Sequence, residues 1–137
     1  MVVIFRPYTS QAYTDWSVRR AEVRRSFDRE GVGIAAIDEQ VKEWEKQNPA
    51  PEATLSQVAD HIDHIRRTAG IDHIGIGSDF DGGGGVTGLE DVSRYPYLTA
   101  ELLRRGYSDQ DVRKILGLNV LRVMREAERV SKKLSGS

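Results

Sequence analysis

Apolar residues open the chain as an unbroken run. Met1-Val2-Val3-Ile4-Phe5 is β-branched and aromatic without polar alternation, the pattern of a parallel strand covered on both faces. Arg6-Pro7 ends it, because proline has no ladder donor. From Asp15 to about Glu30 the period shifts. Trp16, Val18, Val23 and Phe27 fall among Arg19, Arg20, Arg24 and Arg25, which predicts a helix with a basic face and a broken apolar stripe. Gly31 and Gly33 punctuate, and Ile37, Val41 and Trp44 mark a second helix over about 37–46. Pro49 and Pro51 close it as a short extended linker.

Thr54-Leu55-Ser56-Gln57 reads as a capping box, with the threonine hydroxyl facing the N3 amide and the glutamine reaching back. Leu55, Val58, Ile62 and Ile65 then form one helical stripe, and Gly70 supplies its C-terminal stop. His73-Ile74-Gly75-Ile76-Gly77-Ser78-Asp79-Phe80 reads as a second buried strand whose glycines permit close approach of another backbone. A glycine-rich loop follows from Asp81 to about Gly88. Pro96 suits a first helical position, with Leu98, Leu102 and Leu103 as a stripe and Gly106 as the stop. Ser108-Asp109-Gln110-Asp111 starts a short helix through Leu116. The chain turns at Gly117-Leu118-Asn119 into a last helix, Val120 to Val130, with Val120, Val123, Met124 and Ala127 expected to face inward. Residues 131–137 form a polar tail expected to fray. Strands alternating with helices argue for a parallel α/β arrangement. Two strands do not make a stable open sheet, so the layer is incomplete on its own.

Composition narrows the classes. The 137 residues carry 20 Lys and Arg against 21 Asp and Glu, for a formal charge of −1, so no global field attracts nucleic acid or anionic lipid. The Arg19–Arg29 helix is interleaved with Asp15, Glu22, Asp28 and Glu30, as in a solvated face with i,i+4 pairs. With no cysteine, disulfide scaffolds, thiolate zinc sites and cysteine nucleophiles are excluded together. Apolar runs are too short to span a bilayer. Met1–Phe5 lacks the basic flank and cleavage pattern of a signal peptide, so a cytoplasmic location is the default expectation.

The sharpest chemical feature is Gly75-Ile76-Gly77-Ser78-Asp79-Phe80-Asp81-Gly82. In α/β folds the carboxyl ends of strands point their last residues into the ligand crevice, which makes Asp79 the candidate acid and leaves Asp81-Gly82 to make the turn. The plain alternative is two aspartates capping a loop. A calcium loop starting at Asp79 fails, because its fifth position is Gly83 and a strand precedes it. A P-loop fails for want of a basic residue between Gly82 and Gly88. His61-Ile62-Asp63-His64 imitates a metal pair, but on a helix residues i and i+2 point about 200° apart. His73 enters the strand at the end away from its carboxyl terminus.

Three stretches together resemble the membrane dipeptidase (renal dipeptidase) family. They are Leu55 to Ile65, Asp72 to Gly82 and Gly88 to Pro96, followed by Leu102 to Gly106 and Asn119 to Val123. Met1–Phe5 is similar to that family's penultimate barrel strand, and residues 12–50 match least. The resemblance implies the C-terminal part of a (β/α)8 TIM-type barrel over residues 1–130, with about two parallel strands plus helices. It implies hydrolysis of dipeptides at two zinc ions, with Asp79 ending the eighth strand and either holding the substrate amine or moving a proton to the leaving nitrogen. Arg6, and Tyr8 close by, stand where a substrate-contacting tyrosine lies in animal members. The family's metal ligands and its substrate-carboxylate arginine all precede the part seen here, so the chain itself is expected to hold no zinc.

Two functional readings follow. In one, the chain begins inside a zinc dipeptidase barrel and contributes Asp79 and the loop from Asp81 to Pro96, being inactive until paired with the missing barrel portion. In the other it is a non-catalytic remnant whose uncovered helical stripes make it an interaction or self-association module.

Overall fold

Two short parallel strands and a set of helices make up the computed structural model, which describes residues 2–29, 31, 33–80 and 85–136. The element order is β1 (Val2–Val3), α1 (Arg6–Thr9), α2 (Gln11–Arg29), α3 (Ile34–Gln47), α4 (Leu55–Ala69), β2 (Ile76–Gly77), α5 (Tyr95–Arg104), α6 (Asp109–Arg113) and α7 (Asn119–Leu134). β1 and β2 pair in parallel, Val2 opposite Ile76 and Val3 opposite Gly77. The Ile4 amide extends the ladder by donating to the Gly77 carbonyl at 2.7 Å.

The expected parallel α/β class is present in helix-rich form, and the described residues do not close a barrel. Both strands are shorter than their apolar runs suggest. Phe5 leaves the ladder before Arg6-Pro7, and the second run is consumed at its start by a 3-10 turn, Ile71–His73. A run of β-formers holds strand geometry only while a neighbour supplies ladder partners. Among the described residues each strand has one neighbour.

Helix starts follow their local chemistry. Thr54 caps α4 by the expected box: its side chain accepts from the Gln57 amide while the Gln57 side chain accepts from the Thr54 amide at 2.9 Å. Gly70 ends α4 with a positive φ of 90°. Ser108 and Asp111 form a second capping box at α6. Pro96 falls one residue inside α5, which Tyr95 opens. α2 begins at Gln11 and α3 at Ile34, each earlier than the apolar stripe indicates. The α6 helix passes through a π-helical turn, Lys114–Leu118, instead of running straight to Leu116.

The core lies between α4, α5, α6 and the strand layer. Ile4, Val58, Ile62, Ile74, Val86, Leu89, Leu98, Leu102, Val112 and Ile115 are buried together. Leu103, expected on the α5 stripe, is exposed instead. α2 and α3 form a separate hairpin. Ile37 and Val41 are buried in it, Trp16 stacks on Trp44 with centroids 6.0 Å apart, and Arg24 pairs with Asp38 at 2.6 Å.

The largest departure concerns α7. Val120, Val123, Met124 and Ala127 were expected to face inward, yet all four are exposed. Their stripe is amphipathic as the sequence indicates, but among the described residues it is covered only in part, where Val120 meets Gly75. The helix also continues into the polar tail as far as Leu134.

Candidate functional site

Parallel pairing puts the carboxyl ends of β1 and β2 at one end of the sheet, and three candidate residues follow those ends directly. Arg6 comes three residues after β1, Tyr8 lies in the same turn, and Asp79 comes two residues after β2. Asp79 is exposed, with φ at +50°. That left-handed backbone is costly for most L-residues and tolerable for aspartate. Among the described residues it has no hydrogen-bond or ion-pair partner. Its carboxylate therefore stands at the strand's mouth without a neutralising group from this chain's described part. Asp81 and the first three glycines of the loop lie outside the described residues.

Arg6 makes two contacts within the chain. Its Nε donates to the Gly85 carbonyl, and its guanidinium lies over the Tyr13 ring, 5.8 Å from the centroid. The arginine thus fastens the far end of the glycine-rich segment to the start of α1. Tyr8 is 66% exposed and stacks on Phe5 with centroids 5.8 Å apart. Phe80, next to Asp79, packs against Tyr95 at 6.0 Å, which ties the β2 exit to α5.

The His61–His64 segment sits on α4, away from this end. Both oxygens of Asp63 are taken: Oδ1 accepts from the Tyr107 hydroxyl at 2.6 Å and Oδ2 from the Arg105 guanidinium at 2.6 Å. Burial works against its charge, but those two donors hold its carboxyl below the ordinary range. The Tyr107 hydroxyl is pushed up to about 12, first by burial and then by its bond to Asp63. Arg105 also bonds Asp60 and Glu101, both at 2.7 Å, and Arg66 lies 4.4 Å above the Tyr107 ring. This network locks α4 to α5. His61 Nδ1 is buried with no hydrogen-bond partner, and desolvation followed by the neighbouring His64 lowers its pKa. No group of three or more His, Cys, Asp or Glu able to hold a metal exists among the described residues.

Asn119 is a positioning residue that sequence patterning missed. It is 6% exposed, and its Nδ2 donates to the carbonyls of Ile71 and Ile74, both at 2.8 Å. These carbonyls flank the turn that aims the chain into β2. A polar residue opening an otherwise apolar helical stripe was the available signal. Gly75 completes the joint, since a Cβ there would stand 3.0 Å from a Val120 methyl. Several clefts lie along α7, and another lies between α2 and α3, lined by Trp16, Trp44 and Pro51. One of about 330 Å³ opens at the amino end of β2, between His73 and Met124. Another is formed by α7 and Ser135 alone.

Comparison with known proteins is consistent across three kinds of match. The sequence model of the membrane dipeptidases (peptidase family M19) matches residues 2–137. A curated relative, dipeptidase verJ of Clonostachys rogersoniana, is 51% identical over 90 residues, covering 65% of this chain and 23% of its own length. Dipeptidase 3 of Rattus norvegicus is 52% identical over 85 residues, covering 61% and 17% respectively. The crystal structure of the probable dipeptidase PvdM from Pseudomonas aeruginosa superimposes with a TM-score of 0.67 at 32% identity, over 88% of this chain and 34% of that one. The chain spans about a fifth of the length of the curated relatives it matches. No helix among the described residues is long and apolar enough to cross a membrane.

Proposed function

Because the chain belongs to the membrane dipeptidase family, we propose that it is the C-terminal portion of a dipeptide-hydrolysing barrel and supplies that enzyme's Asp79 carboxylate. The observation that carries this reading is the placement of Asp79: an unpaired, exposed acid two residues beyond a parallel strand, held at φ +50°. Energy stored in such a backbone is ordinarily spent where a side chain must be presented rather than packed.

At the strand mouth a carboxylate accepts hydrogen bonds from a substrate ammonium, and it can carry a proton to a leaving nitrogen. Both tasks suit a dipeptide, whose free amine lies next to the bond that breaks. Arg6 anchors Gly85, while Tyr8 offers an exposed ring and hydroxyl at the same end. The family's reaction uses zinc, and the described donors do not suit it: both oxygens of Asp63 are engaged, and no three His, Asp or Glu side chains among the described residues converge. The metal-holding residues belong to other polypeptide, so the 137-residue chain is inactive by itself.

Mixing this chain with a related dipeptidase truncated before the matched segment, with zinc present, tests the reading. Dipeptide hydrolysis should appear only in the mixture. Asp79→Asn should lower it by about 10²- to 10⁴-fold, the range for a positioned acid or base, and Asp79→Gly should lose activity without losing stability. Hydrolysis by the chain alone, or full activity of the Asp79→Asn mixture, would overturn it.

A further inference from the structure

Asp79 is the sole non-glycine residue with a positive φ among the described residues. Aspartate ordinarily settles in that left-handed region by bonding its own side chain to nearby backbone. Here the carboxylate is exposed and makes no such bond, so the backbone is held from outside the residue. Its two flanks are fixed. On the amino side Gly77 is paired with Val3 of β1, and its carbonyl accepts from the Ile4 amide at 2.7 Å. On the carboxyl side Phe80 lies half-buried against Tyr95, with ring centroids 6.0 Å apart and planes tilted by 40°. That separation and tilt belong to an attractive aromatic pair. Tyr95 is itself fastened: it opens α5, its amide donates to the Val92 carbonyl, and it packs against the buried core.

The torsion φ at Asp79 couples these flanks. Turning it from +50° to the ordinary negative range would redirect the chain as it leaves β2 and carry the Phe80 ring away from Tyr95. The ring contact and the left-handed backbone therefore stand or fall together. The same torsion decides where the acid points, because Cβ and the carbonyl carbon of residue 79 turn as one about the N–Cα bond. A ring one residue further on thus governs the direction of a carboxylate that it does not touch.

We propose that Phe80 and Tyr95 are positioning residues whose ring contact holds Asp79 in its left-handed conformation and so aims its carboxylate out of the strand mouth. Neither ring touches the reacting atoms in this role. The value of that aim to catalysis rests on Asp79 being the acid of a dipeptide-hydrolysing barrel, whereas the hold itself does not.

A double-mutant cycle in the 137-residue chain, read by urea unfolding, tests the hold without any enzyme activity. Asp79→Gly removes the strain of a side chain at positive φ. It should therefore act more favourably on the folding equilibrium of the parent than on that of a Phe80→Leu chain, whose residue 79 is free to relax. The two effects should differ by about threefold to tenfold, part of the left-handed cost of an L-residue. Tyr95→Leu in place of Phe80→Leu should give the same coupling, and Tyr95→Phe, which keeps the ring, should behave as the parent. In the zinc-supplied mixture with a truncated dipeptidase, Phe80→Leu and Tyr95→Leu should each lower kcat/KM by about tenfold, as a small misplacement of a reacting group does, and Tyr95→Phe should not. Beside Asp79→Asn neither leucine change should cost anything further, because each acts through the carboxylate already removed; a merely structural role would cost as much in both backgrounds. Additive effects in the unfolding cycle, or a Tyr95→Phe chain that loses as much as Tyr95→Leu, overturn the proposal. A mixture inactive even with the parent chain refutes the dipeptidase reading, and the unfolding cycle still decides the hold.

Discussion

Replacing Asn119 with alanine probes the joint on which the β2 end depends. The side chain is 6% exposed and donates to the Ile71 and Ile74 carbonyls, both at 2.8 Å. Alanine removes both donations and leaves the carbonyls facing a space too small to hydrate well. A hydrogen bond contributes about 0.5–1.5 kcal/mol net, and an acceptor left buried without a partner costs about 1–3 kcal/mol. Ile74 is buried and Ile71 half-buried, so one bond falls in each range and the loss comes to about 2–4 kcal/mol. Urea unfolding should show the midpoint falling by about 1–2 M with the slope unchanged, because the surface exposed on unfolding hardly changes. Asn119→Asp should cost more at neutral pH, since a carboxylate there would face two carbonyl oxygens with no proton to give. Part of that excess should return in acid as the introduced carboxyl protonates. If Asn119→Ala shifts stability by less than about 0.5 kcal/mol, the size of an ordinary surface change, the joint is not held in the way argued.

Two further outcomes follow from the same packing. The Glu101 carboxyl, bonded first by Arg104 and then by Arg105, is held down to about 2 against its ordinary 4.5. A lowered folded pKa contributes stability that is whole above about pH 4.5 and is lost as pH falls through about 2; Glu101→Gln should therefore flatten the acid limb of the urea midpoint relative to the parent, and an unchanged limb would refute the coupling. Gly75→Ala should destabilise by about 1–3 kcal/mol through overpacking against the Val120 methyl 3.0 Å away, and Val120→Ala in the same chain should recover most of that loss in a double-mutant cycle, whereas simple additivity would show that the two do not touch.

The sequence was most legible where structure is decided within a few residues. Both capping boxes sit at hydroxyl residues opening helices. Of these, Thr54-Leu55-Ser56-Gln57 was read in full from the sequence, and Ser108 only as the start of its helix. The α4 stripe buries Val58 and Ile62 as its spacing required, and Gly75 lets Val120 approach to where a Cβ would stand only 3.0 Å from its methyl. The Arg105 hub was illegible because its partners Ser56, Asp60 and Asp63 come from more than forty residues away. Nothing in the spacing of one helix announces what a charge on the next will find. Arg6 illustrates the same limit: its position at the strand end was readable, but its bond to Gly85 was not.

The remaining departures share one cause. The strands are shorter than their β-forming runs, the α7 stripe is exposed despite its apolar spacing, and Asp79 stands unpaired at the strand mouth. Each feature is written in the residues as if for a neighbour: a ladder partner, a second apolar face, a group that meets a carboxylate. A run such as Met1–Phe5 encodes a covered strand, but the hydrogen bonds that make it one belong jointly to two strands. Burial is likewise a property of a pair of surfaces, so periodicity fixes which face of α7 is apolar without fixing that it is buried. The relatives, several times longer than this chain, indicate how much polypeptide such surfaces ordinarily meet.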